Sequence, residues 1–375
     1  MSSTSAGGST QEQPKVSITI NISINPSGTV EVQTIPPASA VTGGAFESMS
    51  APAADVLEKA TGKAAEQNMD YSDCKGFDAH FMGIFTPLPT PNTQLKRQLA
   101  TPAGAASKYI LDYYHYSTMH HILRRMPVVS AINIDGDPAE RQDDSARKDN
   151  WLRDNRIDFD VQLNDAYYKN SHFDKGHMSR REDAKWGDTP DDAERDAELT
   201  CMYTNAVPQV PDINRAIYGY HGLWGQLEQI ILEKGVEKEE GNTTKICVYN
   251  GPIFVDTDPI YKSVQVPLRF YKIVVWKNGA GQPKTTAFIL SQEDLVGGIQ
   301  FEELQYDQEF KEHQCSIAYL ETLTGLVFTG IKNWDTYEGD TSGDNMETAG
   351  AGTPVPVRPI DKEKLQALIM RNAAK

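Results

Sequence analysis

Three strand-like runs lie close together in the C-terminal half of the chain, and they constrain the fold more than any other feature. They occupy residues 245–254, 264–276 and 285–290. Each is rich in β-branched and aromatic residues, which favour extended backbone over helix. The chain is therefore expected to build a substantial part of its core around a β-sheet.

A strictly alternating pattern near the N-terminus predicts a separate β-hairpin. In residues 15–24, five apolar side chains fall on one face, and Ser, Thr and Asn fall on the other. A turn signal follows, N-P-S-G at residues 25–28, after which Val30 and Val32 resume the alternation. The hairpin is expected at residues 15–34, inside a low-complexity region 1–65 whose composition is otherwise typical of disorder.

The apolar face of this hairpin needs a partner, because a two-stranded hairpin is at best marginally stable alone in water. Two partners are open: the chain's own domain, or another chain. We favour the second, and expect a homo-oligomer, at least a dimer, or a regulatory protein bound through residues 15–34.

The remaining chain divides by composition. Residues 66–335 have the aromatic content of one globular domain, with a helix expected at 211–234. Residues 336–359 form an acidic, Gly/Thr-rich segment that is interpreted as a linker. Residues 360–375 are expected to form a short amphipathic helix. No apolar run approaches the 18 or so residues of a membrane-spanning helix, so no membrane contact is expected.

Charge and cysteine usage limit the classes of function. The net charge is −16, so a nucleic-acid-binding protein of this composition must concentrate its positive charge in one cleft. The four cysteines show no C-x-x-C spacing, and the N-terminus has no basic patch followed by an apolar run. Reduced, mostly buried cysteines and a cytoplasmic location are expected.

Chemically active side chains are densest in residues 173–181, which read F-D-K-G-H-M-S-R-R. A histidine beside a glycine and an acid often marks only a structured turn. Three later features change that interpretation: Y-T-N-A-V-P-Q at residues 203–209, Asn214 nine residues after Asn205, and W-G-Q-L-E at residues 224–228.

These blocks, in this order, resemble the DNA/RNA non-specific endonuclease family of ββα-metal nucleases. That family's signature is D-R-G-H, then a T/S-N-x-x-P-Q…N block, then W-x-x-L-E. The resemblance covers residues from about 70 to 335. It implies an α+β fold, with a central antiparallel sheet flanked by helices and a ββα-metal nuclease site.

The resemblance also implies the chemistry: hydrolysis of DNA and RNA phosphodiester bonds without base preference, with Mg²⁺ or, alternatively, Mn²⁺. His177 would take a proton from water, a task suited to an imidazole pKa of about 6.5. Asn214 matches the family's metal-binding asparagine, and Asn205 is assigned to the metal set with it. An amide oxygen suits an ion that keeps most of its waters. Asn214 has a second interpretation, as the N-cap of the 211–234 helix.

Phosphate contacts follow from the same resemblance. Arg125 matches the family's phosphate-binding arginine, whose guanidinium fork fits a phosphoryl group; its alternative is a solvated neighbour of Arg124. The catalytic set is completed by Asp174, Lys175 and Glu228. A local basic cleft is expected from Arg180, Arg181 and Arg215.

This sequence departs from the family pattern in three ways. Lys175 stands where the family has arginine, which keeps the charge and loses the fork. Residues 188–198 carry six acids, which would repel DNA unless they face away. Fourteen residues separate Asn214 from Glu228, about 21 Å along one straight helix. Glu228 reaches the metal only if the chain breaks, most readily at residues 219–222; otherwise it is a bystander.

An active nuclease is the first hypothesis. The second is a catalytically silent relative that binds nucleic acid, and the third is a partner-binding scaffold whose function lies in the tails. An unsecreted, non-specific nuclease would endanger its own cell. We therefore expect its activity to be gated by assembly or by a partner, as in a defence or cell-death effector.

Overall fold

The structure is a computed structural model that describes residues 19–24, 30–35, 69–104, 108–137, 149–214, 245–292, 312–338, 346–349 and 353–359. The chain divides into two units, Met1–Asp55 and Val56–Lys375.

The first unit contains a two-stranded antiparallel hairpin. Strand β1 (Thr19–Ile24) pairs with β2 (Val30–Ile35), so that Ile24 lies opposite Val30 and Thr19 lies opposite Ile35. This pairing agrees with the alternation in the sequence. Whether the hairpin has a second copy or a regulatory protein as its partner stays a prediction.

The second unit is built on a nine-stranded sheet in the order β16-β17-β14-β13-β12-β9-β6-β5-β4, and all its neighbouring strands pair antiparallel. In chain order the strands of this unit are β3 (Thr90–Pro91), β4 (Leu111–Asp112), β5 (Tyr116–His121), β6 (Met126–Asp135), β7 (Asp174–His177), β8 (Ala206–Gln209), β9 (Lys245–Ile253), β10 (Ile260–Tyr261), β11 (Val264–Gln265), β12 (Arg269–Lys277), β13 (Pro283–Ser291), β14 (Glu312–Cys315), β15 (Leu326–Val327), β16 (Met346–Ala349) and β17 (Thr353–Pro359). The expected central antiparallel sheet is confirmed, and the three strand-like runs supply β9, β11, β12 and β13.

Both faces of this sheet are covered. Side chains alternate between the faces of a strand, and in β6 Val129 and Ala131 belong to one buried cluster while Ile132 and Ile134 belong to another. Because neither face of the sheet is exposed to solvent, the sequences of the central strands are nearly continuous runs of apolar residues. We call the face that carries Ser130 and Ile132 the site face.

The described helices are short. They are α1 (Thr93–Lys96), α2 (Asp165–Tyr168), α3 (Pro190–Glu198), α4 (Pro211–Asn214) and α5 (Ile317–Thr324). Helix α3 begins where the Thr189 hydroxyl accepts a hydrogen bond from the Asp192 amide, with Pro190 in the first turn. Of the helix expected at 211–234, only α4 lies within the described residues. None of the helices described here is long and apolar enough to cross a membrane.

One segment differs from expectation. The linker interpretation of residues 336–359 does not hold for its second half, where β16 and β17 form and β17 extends the main sheet beside β14. The segment is acidic overall, but Val355 and Val357 alternate with other residues as in a strand. A strand of this kind can pair with the open edge of a sheet. The strand-like run at 245–254 forms β9 as far as Ile253, and Gly251 lets the strand pass close to Tyr271 and the Val128 carbonyl. The helix expected at 360–375 lies outside the described residues.

All four cysteines are free thiols. Cys201, Cys247 and Cys315 are buried, and Cys74 is half-buried. This agrees with the expectation from their spacing.

Candidate active site

The motif residues fold into a hairpin followed by a helix. Strand β7 pairs antiparallel with β8, with Asp174 opposite Gln209 and His177 opposite Ala206. Helix α4 begins two residues after β8 ends, at Pro211. This is the two-strand-plus-helix arrangement that the resemblance implies, seen as far as Asn214.

Gly176 explains why the two motif blocks occur together. A Cβ atom at this position would overlap the side chain of Gln209, which is almost fully buried. The glycine of D-K-G-H and the glutamine of P-Q are therefore the two sides of one close contact across the hairpin.

Asn205 ties the hairpin to the site face of the sheet. Its Oδ1 accepts hydrogen bonds from the Ser130 hydroxyl at 2.8 Å and from the Ser179 amide at 2.9 Å. Its Nδ2 donates to the carbonyls of Ser179 at 2.8 Å and Thr200 at 2.9 Å. The residue is fully buried. Both oxygen lone pairs are engaged, so the assignment of Asn205 as a metal ligand is corrected to a structural role.

The Asn205→Ala variant is expected to lose about 3 kcal/mol of unfolding free energy, because it leaves buried backbone and hydroxyl groups without partners. Urea denaturation measures this loss, with Asn333→Ala at an exposed position as the matched control. Unchanged unfolding together with weakened metal binding would instead restore the ligand assignment.

Asn214 lies inside the helix and faces Asp174. Its backbone amide donates to the Val210 carbonyl at 3.2 Å, which places it in the first turn and excludes the N-cap interpretation. Its Nδ2 donates to Oδ2 of Asp174 at 3.1 Å. Because the Asp174 carboxylate accepts a hydrogen bond from the amide nitrogen, the amide oxygen is the atom of Asn214 that could coordinate a metal ion.

These residues fit a hard, hydrated cation. Within the described residues, no group of three or more His, Cys, Asp or Glu side chains could hold a metal ion. The site instead offers the Asn214 amide oxygen beside the Asp174 carboxylate. So few oxygen donors match an ion that retains most of its water shell, whereas a structural zinc site needs four nitrogen or sulfur ligands.

His177 is partly exposed at the end of β7. Its Nε2 lies 3.6 Å from the Cys201 sulfur, and its ring centroid lies 4.5 Å from that of Trp151. The imidazole therefore contacts Cys201 and Trp151 while the residue stays partly exposed.

Lys175 is held by groups that the sequence motifs do not contain. Its Nζ lies 2.5 Å from Oδ1 of Asp165, and it sits 5.5 Å from the ring centroids of both Trp151 and Tyr203. The Tyr203 hydroxyl donates to the same Asp165 oxygen at 2.6 Å. The lysine that replaces the family's arginine thus has a fixed place. The sequence analysis did not identify Trp151, Asp165 and Cys201 as site residues, because no motif contains them. Tyr203 directly precedes the T-N block, and that position is the signal that could have identified it.

Arg125 lies beside the same segment as Lys175. Its Nη2 donates to the Gln162 carbonyl at 2.6 Å, three residues before Asp165. Burial lowers the pKa of its guanidinium below the ordinary value, and its backbone φ is +60°. The neighbouring Arg124 is buried and pairs with Asp258 at 3.0 Å. Neither arginine is the solvated surface residue of the alternative interpretation.

The predicted basic cleft is only partly supported. Arg181 has a side chain that is 3% exposed and is ion-paired with Glu194, so its assignment to substrate binding is wrong. Arg180 is 27% exposed and lies 3.7 Å from Asp183. Arg215 and Glu228 lie outside the described residues, and their roles stay predictions.

The acidic segment 188–198 is partly neutralised within the fold. Glu194 pairs with Arg181, and the buried Asp196 lies 2.8 Å from both His115 Nε2 and Arg195 Nη2. Asp192 also pairs with Arg195, at 2.7 Å. Three of the six acids in this segment therefore face cations of this chain, which reduces the repulsion expected for DNA.

The model of the DNA/RNA non-specific endonuclease family matches residues 98–333, well over half of the chain. An uncharacterised protein of Sinorhizobium fredii is 28% identical over 290 residues, 73% of this chain and 42% of the relative. A nuclease of a Nostoc species is 28% identical over 48% of this chain and 60% of its own length. The mitochondrial endonuclease G of Homo sapiens is 22% identical over 50% and 59%.

This chain spans about half the length of these relatives, from 42% to 60%. Among solved structures, a chain of the EndoG/EndoGI complex matches with a TM-score of 0.45 and 15% identity. That match covers 64% of this chain and 91% of the other.

Proposed function

This chain belongs to the DNA/RNA non-specific endonuclease family, and on that premise we propose that it hydrolyses phosphodiester bonds of DNA and RNA without sequence preference. The observation that carries the proposal is the fold of one hairpin and one helix turn, in which β7 carries Asp174 and the partly exposed His177, and α4 holds Asn214 against Asp174. A base and oxygen ligands on adjacent rigid elements are what phosphodiester hydrolysis requires.

His177 acts as the general base in this proposal. Its neutral imidazole accepts a proton from water as the water oxygen bonds to phosphorus, and the bond from phosphorus to the leaving oxygen breaks.

Asn214 and Asp174 would hold the metal ion, Mg²⁺ with Mn²⁺ as the alternative. When bound, such an ion supplies a Lewis acid that stabilises negative charge on the phosphoryl and leaving oxygens. Asp174 orients the Asn214 amide through the 3.1 Å hydrogen bond between them.

Lys175 and Arg125 supply positive charge for the phosphate. Lys175 is a compact charge whose Nζ lies 5.5 Å from the ring centroids of Trp151 and Tyr203, and Arg125 contributes a half-buried guanidinium from the β5–β6 turn. The proximity of Asp165 to Lys175 weakens its attraction for phosphate. That pairing is also the observation that favours the second candidate, a catalytically silent nucleic-acid-binding relative.

A digestion assay separates the two candidates. We expect the full chain to degrade supercoiled plasmid and a long RNA in the presence of Mg²⁺, with cut sites spread over many sequences. Chelation by EDTA is expected to stop the reaction, and added Mg²⁺ to restore it. Binding of both nucleic acids without Mg²⁺-dependent cleavage would favour the silent relative instead.

A further inference from the structure

The mechanism above leaves one contact of His177 unused. The sulfur of Cys201 lies 3.6 Å from Nε2 of His177 and 3.8 Å from Oδ1 of Asp149. Cys201 is 1% exposed. The thiol therefore stands between the imidazole and a carboxylate and is closed off from solvent.

Backbone hydrogen bonds place Cys201 and Trp151 close to each other beside His177. The Leu152 amide donates to the Cys201 carbonyl at 3.0 Å, and the Tyr203 amide donates to the Leu152 carbonyl at 2.9 Å. This short parallel pairing places Trp151 and Cys201 next to each other. The Trp151 ring then packs on the imidazole, with ring centroids 4.5 Å apart.

Asn205 fixes the same loop from its other side. Its amide bonds to the Thr200 carbonyl, next to Cys201, and to Ser179, two residues after His177. The Asn205 amide thus ties the backbone next to Cys201 to the backbone two residues after His177.

A thiol has one proton to donate and lone pairs to accept, both weakly. If it donates to Asp149, its sulfur accepts from an Nε2–H group of His177. A neutral imidazole carries only one ring proton, so the Nε2–H tautomer has its basic lone pair on Nδ1.

We propose that Cys201 is a positioning residue for His177, holding the ring and its Nε2–H tautomer through the sulfur. This proposal deepens the proposed function and rests on His177 being the general base. Hydrophobic packing alone is the competing explanation, since a buried cysteine behaves as a small apolar residue. Packing alone does not account for a sulfur placed between a ring nitrogen and a carboxylate.

The test compares Cys201→Ala and Cys201→Ser with Cys315→Ala, a fully buried cysteine in the opposite cluster of the sheet. We expect Cys201→Ala to lower kcat about tenfold, the lower end of the loss of about 10–100-fold that follows removal of a group orienting a metal-site side chain. KM is expected to stay unchanged, because no substrate contact is lost. Cys201→Ser is expected to recover part of kcat, since a hydroxyl also donates and accepts. Cys315→Ala is expected to keep the wild-type kcat.

A spectroscopic measurement keeps the test independent of activity and of variant folding. Long-range ¹⁵N–¹H correlation spectra of histidine-labelled wild-type protein report which ring nitrogen carries the proton. We expect the Nε2–H pattern for His177, and faster exchange of that proton with water in Cys201→Ser.

Two results would overturn the positioning role: an Nδ1–H tautomer in the wild-type protein, or a wild-type kcat in Cys201→Ala while His177→Ala is inactive. If His177→Ala itself cleaves normally, the general-base role of His177 fails and the positioning role fails with it, whereas the proposed function fails only if the wild-type protein shows no Mg²⁺-dependent cleavage. The two failures are therefore distinguishable. A drop in kcat matched by Cys315→Ala would also count against the proposal, because it would indicate a general effect of core truncation.

Discussion

Replacing His177 with alanine is expected to reduce cleavage of both DNA and RNA by about 10²–10⁴-fold, the loss typical of removing a general base. The ring is partly exposed and lies at a strand end, so the fold should tolerate its removal. Single-turnover cleavage of a fluorescent duplex measures the rate. Fluorescence anisotropy with the same duplex measures binding, which is expected to stay near the wild-type affinity.

His80→Ala provides the matched control for this variant, because His80 is exposed and its ring packs on Phe85 instead of on a motif residue. It is expected to cleave at the wild-type rate. Wild-type turnover by His177→Ala would remove His177 from the mechanism.

Replacing Asn214 with alanine is expected to lower activity at a fixed Mg²⁺ concentration by about 100-fold or more. Losing a residue that only orients a metal ligand already costs about 10–100-fold, and a direct ligand should cost at least as much. The change removes the amide that Asp174 orients. Activity measured against Mg²⁺ concentration, with calorimetric titration of Mg²⁺, separates weaker metal binding from slower chemistry.

Glu228→Ala is expected to have the smaller effect of the two, given the fourteen residues that separate it from Asn214. If Asp174→Ala abolishes Mg²⁺ binding while Asn214→Ala leaves it intact, the ion is held by the carboxylate. The assignment carried over from the family's asparagine would then be wrong for this chain.

The local sequence was sufficient to predict where the strands form, because strand formation depends largely on the residues within each segment. The β-branched and aromatic runs at 245–254, 264–276 and 285–290 became strands because extended backbone suits those side chains wherever the strands lie. The order of the nine strands, and the burial of both sheet faces, came from pairings between distant segments. Strand propensity carries no information about such pairings.

The motif blocks likewise identified the family and the elements of its site. D-K-G-H and T-N-A-V-P-Q predicted the residues that form β7 and β8, and Gly176 against Gln209 shows why they occur together. Motif identity did not determine what each side chain touches. Arg181 has the chemistry of a phosphate ligand and is buried against Glu194 instead.

The sequence by itself therefore determined the strand-forming segments, the family and the set of reactive side chains, because these depend on residue type and on spacing along the chain. Only the tertiary structure decided how those side chains are used. The Asn205 amide oxygen accepts a hydrogen bond from Ser130, 75 residues earlier, and Lys175 pairs with Asp165. Cys201 meets His177 across 24 residues. Each of these roles depends on which hydrogen-bonding groups lie within about 3–4 Å of the side chain in the folded protein. Those distances are set by contacts between residues that are far apart in the sequence.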